Sequence, residues 1–250
     1  MRPRSAILLA IAIVYVVANW IPFGGTALYP LTLFTTWVHE MGHGLTALMM
    51  GGSFEYLEIN RNAGGLAHCG AASGWPEAMV GAGGLLAPPI LGAAIIAFVH
   101  GPRRARILLA ALAGALVLSV IIYVRSAAGV IAMPIVAAAL GWSAWRGFAE
   151  NPERRVVLAQ ILGVILALDT LTRMVSYAFT TSVTVDGKPS ASDIQIITNE
   201  IGGSHILWGM AITGIAVGLL VVASWWAWRR PVRAPHARDL PTSAPPRPPR

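Results

Sequence analysis

Phe34-Thr35-Thr36-Trp37-Val38-His39-Glu40-Met41-Gly42-His43-Gly44-Leu45-Thr46 is the stretch from which the fold can be read. From Tyr29 to Gly52, the only ionisable side chains besides Tyr29 are His39, Glu40 and His43. Ionisable groups are costly inside an apolar segment and mark a function there. Their spacing is H-E-x-x-H, in which a helix sets two imidazoles four residues apart on one face with a carboxylate beside them. Neutral imidazole suits zinc, and a neighbouring carboxylate can take a proton from a metal-activated water.

The rest of the chain supplies the setting. Of its 250 residues, 56% are hydrophobic and 12% charged, about half the charged share of an ordinary soluble domain. This composition identifies an integral membrane protein. Apolar stretches long enough to cross a bilayer run over 6–23, 28–50, 77–99, 106–124, 127–146, 156–179 and 204–228, so the expected architecture is an all-α polytopic bundle of about seven transmembrane helices. The first has a basic start (Arg2, Arg4) but no small-x-small cleavage site before Trp20, so it reads as a retained helix. Trp20, Trp75, Trp142, Trp145, Trp225, Trp226 and Trp228 lie near span ends, where amphipathic rings settle at membrane interfaces. Residues 53–70 alternate apolar and polar around Asn62-Ala63-Gly64-Gly65 and predict a β-hairpin after the second span. Between 180 and 203 the chain is polar, with an Asp186-Gly187 turn and Ser192-Asp193 opening a short helix.

The membrane-embedded unit is expected to cover 1–228, followed by a disordered basic, Pro-rich tail over 229–250 that lies against anionic headgroups. The net charge of +7 sits largely in that tail and does not indicate nucleic acid binding. With seven spans, Arg103, Arg104, Arg106, Arg146, Arg154, Arg155 and the tail share one side, which the positive-inside rule makes cytoplasmic. Arg2 and Arg4 then fall on the other side, so either the amino terminus is translocated or the span count is off by one. The lone Cys69 excludes an internal disulfide framework. It follows His68, but a single Cys is most often a small buried hydrophobe.

A catalytic zinc site needs three protein ligands, with the Glu as base. Of the four Asp, Asp239 lies in the tail and Asp186 in a turn, leaving Asp169 and Asp193. At 1.5 Å per residue, His39 and His43 lie about 16 and 22 Å into their span and Asp169 about 20 Å into a parallel one. Asp169 is therefore the preferred third ligand. Asp193 is the alternative, since its loop would have to re-enter the bilayer, which is tolerated only against protein or water. Arg173, four residues after Asp169, offers a competing ion pair.

The order of these features resembles the site-2-protease class of intramembrane zinc metalloproteases, in its compact bacterial and plant branch without a PDZ domain. The resemblance spans roughly 30–230. It rests on His39-Glu40-Met41-Gly42-His43, Gly51-Gly52, the Gly-containing hairpin, Gly81-Ala82-Gly83-Gly84-Leu85-Leu86-Ala87-Pro88-Pro89, Leu168-Asp169, and Ser192-Asp193 with Thr198, Gly202 and Trp208. It implies one zinc ion on His39 and His43, Glu40 as the base, and a hairpin presenting an edge strand to substrate around Phe54, Tyr56, Gly64 and Gly65. Better-characterised members carry Leu-Asp-Gly for the third ligand, where this chain has Leu168-Asp169-Thr170. The expected activity is hydrolysis of peptide bonds in or beside transmembrane segments of other proteins, in a lipid bilayer such as the bacterial plasma membrane. The alternative is a metal-binding membrane protein without proteolysis, a transporter or scaffold. Transport favours polar groups strung across several helices, whereas here they are concentrated at one spot.

Overall fold

The computed structural model describes residues 3–177, 182–185 and 188–229. The tail after Arg229 and the Asp186-Gly187 turn lie outside the described residues. Each apolar stretch forms a helix: α1 (Pro3–Trp20), α2 (Gly24–Met49), α3 (Trp75–Phe98), α4 (Pro102–Ile122), α5 (Ala127–Trp142), α6 (Glu153–Tyr177) and α8 (His205–Arg229), with the short α7 (Asp193–Ile201) preceding the last. A hairpin of β1 (Ser53–Ile59) and β2 (Gly65–Gly70) follows α2, and a second pair, β3 (Ser182–Val185) and β4 (Lys188–Ala191), precedes α7.

The number of crossings is below the seven expected. Five helices (α3, α4, α5, α6 and α8, with α5 extended by a π-helical turn to Gly147) are each long and apolar enough to span. The first two pass only as a pair bent by 117°, which raises the count to six if the pair is one broken span. The reason is local. Only three residues separate α1 from α2, Phe23 among them takes a left-handed φ of 64°, and His39, Glu40 and His43 dilute the apolar run of α2.

Termini follow from capping chemistry. Pro76 and Pro102 occupy the first turns of α3 and α4, where an N–H would be unpaired anyway. Ser126 and Ser192 cap α5 and α7 by accepting from Gly129 N and Gln195 N. Pro88 and Pro89 sit mid-helix in α3, which leaves the carbonyl of Leu85 to accept from Thr170 Oγ1 on α6 at 2.7 Å.

The largest core cluster joins α2 (Phe34, Trp37) to Leu109 and Leu116 of α4, Met133 of α5 and Leu57 and Ile59 of β1. Trp37 Nε1 donates to Ser119 Oγ at 2.8 Å, satisfying its polar edge inside that cluster. The faces of α4, α5 and α8 turned away from the core expose Ile121, Ile131, Ile135, Val221 and Val222, the surface that lipid would cover. Two arginines lie over tryptophans near span ends, Arg106 on Trp145 and Arg229 on Trp225, a stable pairing at an interface.

The hairpin runs back along α2. Its turn is closed by Asn60 N to Gly64 O at 2.8 Å, and Ala63 takes the left-handed position at φ 62°. A non-glycine residue there is strained. It is held in place by Thr36 Oγ1, which donates to Ala63 O at 2.7 Å. The outer edge of β1 is closed by residues 123–125, since Leu57 N bonds Tyr123 O at 2.9 Å and Arg125 N bonds Leu57 O at 3.0 Å.

Candidate metal centre

On α2, His39, Glu40 and His43 are all buried, at 8%, 6% and 8% exposure, deep enough that their charges need partners. His43 Nδ1–H donates to Val80 O on α3 at 2.8 Å. That bond fixes the tautomer and leaves the Nε2 lone pair facing inward. Inward lies His39 Nε2, at 3.1 Å. Two imidazole nitrogens this close need a cation or a proton between them.

The third group comes from α7. Asp193 Oδ2 lies 3.2 Å from His39 Nε2, and Oδ1 lies 3.4 Å from His43 Nε2. Among the described residues these three form the one group of His, Cys, Asp or Glu side chains able to hold a metal ion. The donor set passes a geometric test for zinc. A tetrahedral ion with bonds of about 2.0–2.1 Å spaces its ligand atoms about 3.3 Å apart, and the imidazole pair and the contact of each imidazole with one Asp193 oxygen lie near that value. His39 Nδ1 is buried without a hydrogen-bond partner among the described residues.

Close approach of the elements depends on glycine. A Cβ at Gly84 would collide with the His43 ring, and one at Gly81 would stand 3.1 Å from Asp193 O. The Gly-rich stretch of α3 therefore lets α2 and α7 converge on the site. From the other side, a Cβ at Gly65 would stand 2.6 Å from both Cγ and Oε1 of Glu40, so β2 passes directly over the carboxylate.

A cavity of about 310 Å³ opens onto this group. Its walls include Glu40, Gly64, Gly65, Ala67, Glu77, Arg173, Ser192 and Asp193. Of the residues that the sequence points to, His39, Glu40, His43, Gly64, Gly65 and Asp193 meet here. Asp169 is 3% exposed and accepts from Arg173 Nε at 2.8 Å. It is held by its own i+4 neighbour and is not one of the three clustered side chains. Phe54 stacks on Tyr123 at 4.0 Å and Tyr56 on His68 at 3.9 Å, so both are engaged in packing. Cys69 lines the cavity but stands outside the group of His39, His43 and Asp193, and burial first, and then Glu77, push its thiol up to about 12.

Two wall residues had no role in the sequence reading of the site. Glu77 caps the end of β2 by accepting from Ala71 N at 2.7 Å. Its signal was an acid in the first turn of a helix opened by Trp75-Pro76. Arg173 was visible only as a counter-charge to Asp169.

The backbone of β2 has a determinate direction. Leu57 faces Ala67 and Ile59 faces Gly65 across the hairpin. Leu57 spends its N–H and C=O on Tyr123 and Arg125, and Ile59 spends both on Ser126 Oγ. These are therefore non-hydrogen-bonded pairs. The polar groups of Gly65 and Ala67 accordingly point outward, on the edge that no strand occupies among the described residues.

A comparison with protein-family models matches residues 6–223 to the family described as Peptidase M50B-like. No curated protein and no solved structure matches the chain. The family match covers most of the chain, which therefore belongs to the Peptidase M50B-like family, the site-2-protease family of membrane metallopeptidases.

Proposed function

We propose that this M50B-like membrane metallopeptidase is a zinc-dependent endopeptidase that cuts transmembrane or membrane-adjacent segments of other proteins. The observation carrying this reading is the convergence of His39, His43 and Asp193 at tetrahedral spacing, with Glu40 beside them on the wall of one cavity. His39, His43 and Asp193 are the proposed ligands of one zinc ion. The chemistry such an ion supplies is a water acidic enough to lose its proton near neutral pH. Glu40 accepts that proton and delivers it to the leaving amine.

A substrate helix must unwind before it is cut, because its carbonyls are engaged in intrahelical bonds. The freed strand adds to β2 by β-augmentation, pairing with the outward groups of Gly65 and Ala67. Counting the bent pair α1–α2 as one span gives six crossings. An even number puts the start of α1 and the end of α8 on one side, together with Arg103, Arg104, Arg106, Arg146, Arg154 and Arg155, which makes that side cytoplasmic by the positive-inside rule.

The test is the metal content and cleavage activity of purified chain. Glu40→Gln should retain zinc near one per chain and lose cleavage of a membrane-spanning substrate. His39→Ala and His43→Ala should lose both. A native chain that binds zinc but cleaves no such substrate would favour the non-proteolytic alternative. For the substrate strand, Ala67→Pro removes one outward N–H and should lower kcat/KM about fivefold, the worth of one hydrogen bond near 1 kcal/mol. Zinc content should not change.

A further inference from the structure

The ion pair on α6 reaches into the active cavity. Side-chain exposure is 4% for Asp169 and 20% for Arg173, and it is Arg173 that lines the cavity with His39, Glu40 and Asp193. The guanidinium is held from two directions: Nε donates to Asp169 Oδ2 at 2.8 Å, and Nη2 donates to Thr36 Oγ1 at 3.0 Å. Thr36 precedes His39 and Glu40 by three and four residues on α2, so it shares their face one turn away. Gly65 shows how near these groups lie to one another: its missing Cβ would stand 2.6 Å from Glu40 Oε1 and 2.7 Å from Thr36 Cγ2. Among the described cavity-lining residues Arg173 is the one lysine or arginine.

Peptide hydrolysis develops charge that this placement suits. When water adds to the scissile carbonyl carbon, one proton passes to Glu40 and the C=O π pair moves onto oxygen as an oxyanion. On collapse the carbonyl reforms, the C–N bond breaks, and the proton on Glu40 passes to the amine nitrogen, leaving a carboxylic acid and an amine. An oxyanion held away from bulk water beside Glu40 and Asp193 is costly without preorganised donors. A guanidinium stays charged at any working pH and presents its N–H groups in a rigid fork suited to oxygen.

We propose that Arg173 is a catalytic residue that stabilises this oxyanion, with Asp169 and Thr36 as the positioning residues that aim it. The proposal rests on the protease reading above and deepens it. A guanidinium that merely clamps α6 to α2 would affect stability and leave the turnover of folded protein alone.

The experiment uses the full chain in liposomes, loaded with zinc. It is given a membrane-spanning model peptide as substrate and a phosphinic peptide of the same sequence as a tetrahedral anionic mimic. Arg173→Met should lower kcat about 10²–10³-fold, the usual effect of losing one oxyanion donor. KM and zinc content should stay within about twofold of native. The phosphinic peptide should lose affinity by a similar factor, and the parent peptide should not. Arg173→Ala should regain turnover on addition of guanidinium, and Arg173→Lys should keep more activity than Arg173→Met. A native kcat in Arg173→Met, a rise in KM alone, or a loss that tracks thermal stability and resists guanidinium rescue would each overturn the proposal. Failure of the protease reading would show instead in the native chain, as no cleavage at all. In a native chain that does cleave, an unchanged binding ratio of phosphinic to parent peptide in Arg173→Met would overturn the proposal by itself.

Discussion

Asp169 on α6 and Asp193 on α7 are both carboxylates paired inside the fold, and the two helices satisfy them by different means. Helix α6 is a long spanning helix whose Asp169 finds its partner four residues on, at no cost in chain folding. Helix α7 has nine residues, too few to cross a membrane, and its Asp193 is carried to the histidines of α2 from a distant part of the chain. The seat that holds it there is built from Ile194 and Ile197, 1% and 2% exposed, packed with Ala78 and Leu85 of α3 and Ile212 of α8. Its position in the first turn of α7, behind the Ser192 cap, also favours a negative charge through the helix dipole. Depth in the membrane is thus a weak guide to which acid reaches a site. A local partner claims one carboxylate, and an apolar seat delivers the other.

The sharpest way to break this contrast is to exchange the roles of the two acids. Asp193→Asn should release zinc and abolish cleavage, while Asp169→Asn keeps zinc near one per chain and loses activity only through the misplaced Arg173. Metal analysis of the two purified variants decides, and zinc loss in Asp169→Asn alone would return the ligand to α6. A smaller effect should follow from Gly84→Ala, whose Cβ would run into the His43 ring. Displacing a ligand's surroundings typically weakens metal binding by about 10–100-fold, readable by competition with a chelator. The smallest effect should come from Ser192→Ala, which removes the α7 cap at a cost of about 1 kcal/mol. It should appear as faster hydrogen exchange over residues 193–201 with zinc still bound. Exchange unchanged there would mean that the apolar seat alone holds α7.

Local features were the legible ones. Helix positions followed from apolar length, the hairpin from period-2 alternation around Asn62-Ala63-Gly64-Gly65, and the pairing of His39 with His43 from i, i+4 geometry on one helix. The count of spans was not legible in the same way. A run such as α2 has the length of a span, but the bend at Ile21-Pro22-Phe23 makes it part of a broken pair. For the hairpin, alternation located the strands without saying which edge is open. That depended on residues 123–125 closing β1, a contact between segments more than sixty residues apart.

By itself the sequence determined that this chain is a membrane protein carrying two imidazoles and a carboxylate on one helical face, because side-chain transfer energies and the 3.6-residue period act on neighbouring residues. Tertiary structure alone decided which aspartate lies beside the two imidazoles, that β2 offers its outward edge, and that Arg173 faces the cavity. Each of these depends on elements far apart in the chain. The small surfaces of Gly65, Gly81 and Gly84 let those elements approach, and buried apolar contacts around Ile194 and Ile197 hold α7 against its neighbours.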